Sequence, residues 1–102
     1  MTTEILTVVV PVRRYDVRRR RHGADRWLIA RNEYFRVDET ADFVWRMCDG
    51  ERSIGDVALA LSRARELALD SALAATIMTL EYFRGRGLVA YAEPKTTAPS
   101  RE

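Results

Sequence analysis

The chain of 102 residues has one cysteine, Cys48, and one histidine, His22. A thiol beside an imidazole would make a nucleophile and base couple, and either group could ligate a metal. The surroundings of both argue against such roles. His22 falls in "RRRRHGAD", a polar stretch centred on Gly23 that reads as a solvated hairpin connection rather than the setting of a general base. Cys48 recurs with Ala41, Val44 and Trp45 at helical spacing, on an apolar face where a thiol is buried and inert. Two ligands are too few for zinc, and a lone cysteine closes no disulfide within the chain. "GRG" at residues 85–87 is too short for a phosphate loop and is explained by helix termination. No catalytic residue, metal or cofactor is expected, and the chain is not expected to be an enzyme.

The most uneven feature of the charge pattern is the arginine cluster Arg13, Arg14, Arg18, Arg19, Arg20 and Arg21. Its plain reading is a solvated hairpin whose charges discourage edge pairing. An acidic peptide, an acidic partner enzyme or DNA are the alternatives it leaves open. The net charge of +2 is small enough that nucleic acid is permitted but not demanded.

Hydrophobic residues at 47% beside 31% charged residues describe a globular domain rather than a disordered chain. The length suits one core, so a single domain is expected over residues 11–91. Residues 1–10 would then be an N-terminal extension or extra strand, and residues 92–102 a disordered tail. "MTTEILTVVVPV" lacks a basic, cleavable leader and is too short to span a bilayer, from which a cytoplasmic protein with no membrane partner is expected.

Valine-rich residues 5–12 read as a strand bent near Pro11, with residues 13–19 continuing extended and Tyr15 and Val17 on one face. "RWLIAR", residues 26–31, is the next strand, and Asn32 and Glu33 turn the chain into "YFRVD". There Phe35 and Val37 alternate onto the core face, with Tyr34 and Arg36 opposite. Asp38 caps a first helix through Cys48, with Glu39 and Asp42 near its positive end, and Gly50 is placed to close it. Ser53 to Asp56 fits a capping box opening a second helix with Ile54, Val57, Ala58 and Leu61 buried.

The stripe Leu73, Ile77, Leu80 and Phe83 is rotated from the preceding one, which favours a break at residues 66–70, with Asp70 capping a third helix that ends at residues 85–87. "LVAY" follows as a short packed segment. The expected fold is α+β and winged-helix-like, a three-stranded antiparallel sheet followed by three helices.

A winged-helix protein that reads DNA needs outward cations on its third helix. "SALAATIMTLEYF" has none, and carries Glu81. Its outward positions, Ala75, Met78, Thr79 and Tyr82, form a small, soft surface suited to packing an apolar side chain. A core stripe or a dimer contact would use the same residues. DNA binding remains the alternative reading, and nucleic acid is the less favoured partner.

With these residues in hand, the chain resembles the PqqD family, the peptide chaperone of pyrroloquinoline quinone biosynthesis. More broadly it is similar to the recognition elements that bind leaders of ribosomally made, modified peptides. The resemblance runs through "PVRR", "RWLIAR", "VDETA", "DGERSI" and "LEYFRGRGLV", in that order. Val37 and Asp38 stand where the family pattern has Leu-Asn, which keeps the core side chain and the cap. "EILTVVV" and the arginine-dense turn lie outside the pattern.

The resemblance implies non-catalytic capture of a precursor's leader peptide, added as a strand beside the last sheet strand and the third helix. Delivery to a modifying enzyme of the same pathway, often a radical SAM maturase, would follow. The peptide site it implies is Tyr34, Phe35, Arg36 and Val37 on the strand with Thr79, Tyr82 and Phe83 on the helix. Arg36 and Arg84 would pair with acidic leader residues. A homodimer through the N-terminal strand stays open.

Overall fold

The computed structural model describes residues 8–92. The chain runs β1 (Val10–Arg13), β2 (Arg18–His22), β3 (Asp25–Ala30), β4 (Glu33–Val37), α1 (Glu39–Met47), α2 (Ile54–Arg65), α3 (Leu69–Gly85) and β5 (Val89–Ala92). The architecture is α+β: a three-stranded antiparallel sheet, β2-β3-β4, followed by three helices, with an added antiparallel pair, β1-β5.

That pair corrects the expected strand assignment. Residues 10–13 leave the main sheet and lie against the segment expected only to pack, with Val10 opposite Ala92 and Arg13 opposite Val89. The third strand of the main sheet is instead "RRRRH", which had read as part of a loop. Between β1 and β2 the chain turns rather than continuing extended. Tyr15 is 96% exposed there, while Val17 packs on the core, so the two share no face. Residues 5–7 of the expected first strand and residues 93–102 of the expected tail lie outside the described residues.

Both hairpins of the main sheet close on two residues. Gly23, at φ +62°, leads the first, and Arg31 and Asn32, at φ +49° and +68°, form the second. The second turn is therefore one residue earlier than expected. Two left-handed residues in succession are what a type I′ turn requires. Because such turns close on hydrogen-bonded pairs, Ala30–Glu33, Leu28–Phe35 and Arg26–Val37 exchange the ladder bonds between β3 and β4. Tyr34 and Arg36 then direct their backbone N–H and C=O away from β3, to an edge that is free of any other strand among the described residues.

Local capping sets the helices. Asp38 Oδ1 accepts from Ala41 N at 2.8 Å at the start of α1. Ser53 Oγ accepts from Asp56 N at 3.1 Å while Asp56 Oδ2 accepts from Ser53 N at 3.1 Å, the expected capping box. α1 ends at Met47, before the expected Cys48, and Gly50, at φ +82°, sits two residues beyond the cap at Cys48 instead of closing the helix itself.

The break after α2 falls at Glu66, which is left-handed at φ +54°. Asp70 does not cap α3. The cap position is Ala68, which offers no side-chain acceptor, and Asp70 lies inside the first turn.

The core gathers Leu28 and Val37 from the sheet, Val44, Trp45 and Cys48 around α1, Ile54, Val57 and Leu61 from α2, and Ala72, Leu80 and Phe83 from α3. The α2 stripe is the one expected. On α3 the buried positions are Ala72, Thr76, Leu80 and Phe83, whereas Leu73, Ile77 and Ala75 are only half-buried. Small residues at 72 and 76 suit close packing against α2 and account for the rotation. Ala75 consequently packs on the core rather than facing outward.

Candidate peptide-binding groove

The lone cysteine and the lone histidine lie apart, one in the core and one on the surface. Cys48 is fully buried, its Sγ donates to Val44 O at 3.1 Å, and burial pushes its thiol up to about 12. His22 is exposed at the end of β2. Among the described residues there is no cluster of three or more His, Cys, Asp or Glu that could hold a metal ion.

The surface feature that joins strand to helix is a groove of about 370 Å³ lined by Arg36, Val37, Asp38, Ala41, Met78, Thr79 and Tyr82. Each wall has a local cause. β4 ends at Val37, whose side chain enters the core at 8% exposure, and Asp38 begins α1 immediately after it. α1 contributes Ala41 at the bottom. α3 presents positions 78, 79 and 82, one helical face, with Met78 73% exposed and Tyr82 40% exposed. An exposed methionine and tyrosine beside a free strand edge make an apolar wall next to unpaired backbone donors and acceptors.

Of the residues proposed from sequence, Arg36, Val37, Thr79 and Tyr82 line this groove. Tyr34 lies at the same sheet edge with its ring 6.4 Å from that of Trp27, edge to face, on the outer side of the sheet. Phe35 is half-buried against the core.

Phe83 is fully buried and stacks edge to face on Trp45 at 5.6 Å, so it supports α3 from below and has no surface to offer a peptide. Arg84 turns toward β5. Its Nη2 donates to Glu81 Oε1 at 3.0 Å and its guanidinium covers the Tyr91 ring at 5.0 Å, so it is not brought together with Arg36. Arg36 itself donates to Asp25 Oδ1 at 2.6 Å, an exposed pair that a competing acidic group could exchange.

Sequence reasoning left Met78, Asp38 and Ala41 out of the site. Met78 lies on the outward face of the helix in the sequence pattern, and its position one turn before Tyr82 is the signal for it. Asp38 and Ala41 had been assigned only to capping and core.

A second group binds the sheet to the helices. Asp42, with its side chain 3% exposed, accepts from Arg19 Nε at 2.5 Å and Arg19 Nη2 at 2.9 Å, with Arg26 Nε and Arg46 Nε each 3.4 Å from its Oδ2. Burial alone would raise this carboxyl, but the hydrogen bonds and charge of Arg19, with the charges of Arg46 and Arg26, together hold it below the ordinary value. Reading Asp42 only as a partner of the helix dipole missed this network.

The family model described as Coenzyme PQQ synthesis protein D (PqqD) matches residues 7–89. The chain belongs to the PqqD family. No curated protein and no solved structure matches it. The match spans every element from β1 through α3 and reaches the first residue of β5, so it includes both walls of the groove. The PqqD family is one of peptide-binding accessory proteins, and membership brings the general role of binding a precursor peptide alongside a pathway enzyme. Among the described residues, no helix is long and apolar enough to cross a membrane.

Proposed function

We propose that this PqqD-family chain captures the leader of a ribosomally made precursor peptide as an added strand on the free edge of β4, and delivers it to a separate modifying enzyme such as a radical SAM maturase. The observation that carries the reading is the coincidence of two features. Tyr34 and Arg36 direct backbone donors and acceptors outward, and beside them lies the groove walled by Met78, Thr79 and Tyr82. Strand addition takes affinity from main-chain bonds and selectivity from alternate side-chain pockets.

Each new backbone bond contributes about 0.5–1.5 kcal/mol, and an apolar anchor on Met78 and Tyr82 about 1.5–3 kcal/mol. Ordering a flexible peptide costs about 2–5 kcal/mol. The balance sets binding in the micromolar range or weaker rather than the nanomolar range.

The test is an amide NMR titration of labelled full-length chain with candidate leader peptides of ribosomally made precursors. Shifts concentrated at residues 33–38, 41, 78, 79 and 82 support the reading. A saturating interaction whose shifts avoid both β4 and α3 would sink it.

A further inference from the structure

Among the described residues the sheet has a second unpaired edge, on β2, about 10 Å across the sheet from the first. Its two-residue turn at Gly23 and Ala24 closes on the pair His22–Asp25, so Arg20–Trp27 and Arg18–Ile29 exchange ladder bonds with β3. Arg19 and Arg21 then direct their backbone N–H and C=O outward. All five residues of β2 are exposed.

Three of the four arginines there are uncompensated. Arg19 is committed to Asp42, but Arg18, Arg20 and Arg21 have no carboxylate within ion-pair distance among the described residues. Arg18 and Arg20 share the outer face with Ile29 and the half-buried Trp27.

At the N-terminal end of β2 lies a cavity of about 450 Å³. It is lined in part by Arg13, Arg14, Tyr15, Arg19, Trp45 and Asp49, with Arg14 paired to Asp16 and Arg19 to Asp42. Arg13 covers the Trp45 ring at 5.8 Å and likewise has no carboxylate partner among the described residues. Edge protection alone would need charges on the strand, but not a cavity at its end with the uncompensated Arg13 on its wall.

We propose that the β2 edge is a docking strip for an acidic, extended segment of a partner protein, with one of its side chains seated in the adjoining cavity. The occupant is a polypeptide rather than a nucleic acid because the edge offers carbonyls as well as amides. A β-strand satisfies both, whereas phosphates use only the donors. Because this edge lies opposite β4, a peptide on one does not cover the other. The inference stands on β2 and the cavity, independently of leader capture at β4.

The probe is a short synthetic peptide of alternating glutamate and valine, titrated into labelled full-length chain. A single-stranded DNA oligonucleotide is titrated in parallel. The expected result is a set of shifts at residues 15–21 and the Trp27 indole. Arg18→Glu with Arg20→Glu should weaken the interaction by about tenfold, as two lost surface ion pairs imply. Arg63→Glu with Arg86→Glu, the same charge change elsewhere, should leave it intact. Equal weakening by both pairs, shifts centred on residues 33–38, tighter binding of the oligonucleotide or no response to the peptide would each overturn the proposal. Leader binding reports at Tyr34, Arg36 and Tyr82, so failure there is read separately.

Discussion

Arg19 and Asp42 are joined by two hydrogen bonds, Nε to Oδ1 at 2.5 Å and Nη2 to Oδ2 at 2.9 Å, across 23 positions of sequence. The pair fixes an edge strand with no buried side chain of its own to the first helix. Bidentate geometry makes it a hinge pin for the angle between sheet and helix, and hence for the spacing of β4 from α1.

Removing the carboxylate by Asp42→Ala should therefore destabilise the fold by about 1.5–3 kcal/mol, the range for hydrogen bonds to charged groups. The loss stays below that of a fully buried ion pair because the Arg19 and Arg46 side chains, 35% and 47% exposed, can return to water, whereas Arg26, 17% exposed, keeps its Nε buried. Urea unfolding measures it. An unchanged midpoint would mean the network is geometric only.

The same carboxylate shapes stability against pH. Asp42 is held below its ordinary value as described above. Asp49 is lowered first by the backbone N–H of Glu51 and then by that of Arg52, and Glu81 first by Arg84 and then by Tyr91. Groups depressed in the folded state stabilise it above their unfolded values, near 3.8 for the aspartates and 4.5 for Glu81. That contribution is lost as pH falls through those values toward the lower folded ones. These three groups should thus leave the thermal midpoint flat from neutral pH to about 5 and lower it below about 4.5. Asp42→Asn should make the acid limb shallower.

How far this was legible beforehand follows from how local each determinant is. The α2 stripe of Ile54, Val57, Ala58 and Leu61 could be read because a capping box and a 3.6-residue period lie in one short segment. β1 could not be paired from sequence, since a valine run near residue 10 carries no mark of a partner at residues 89–92. β2 has no alternation at all. Four arginines became a strand because β3 offered a ladder, which is context rather than propensity.

In the groove, period two separated Val37 from Arg36, and helical spacing found Thr79 and Tyr82. Phe83 lies next to Tyr82 in sequence yet points a hundred degrees away, into the core. Arg84 was misplaced because its partners, Glu81 and Tyr91, lie on the β5 side.

The β3–β4 turn holds Arg31 and Asn32 in the left-handed region. Arginine there carries the Cβ clash that Gly lacks and that Asn offsets with local hydrogen bonds, roughly 1–2 kcal/mol. Arg31→Asn with Asn32→Gly gives the preferred type I′ pair. It should raise stability by about 1 kcal/mol. The cost is one long ion pair, Arg31 Nε to Asp16 Oδ2 at 3.9 Å, of little worth at 66% exposure. A chemical denaturation curve with a lower midpoint would show that the native turn is not strained as its angles imply.

Backbone capture at β4 can be separated from side-chain capture at a single position. Arg36 faces Trp27 as a non-hydrogen-bonded pair, so its N–H points to the free edge and contributes nothing to the β3–β4 ladder. Arg36→Pro removes that donor while keeping the neighbouring ladder bonds of Phe35 and Val37, a substitution that edge strands accommodate. Arg36→Ala keeps the donor and removes the guanidinium, which is 68% exposed and paired with Asp25.

Strand addition predicts that the proline variant loses about tenfold or more in leader affinity, one bond plus the obstruction of the ring, while the alanine variant stays within about threefold. Isothermal titration at two salt concentrations provides the comparison, and amide exchange at Phe35 and Val37 checks that the hairpin is intact. If alanine weakens binding as much as proline does, and salt abolishes the difference from wild type, then the guanidinium holds the peptide and the open edge of β4 does not.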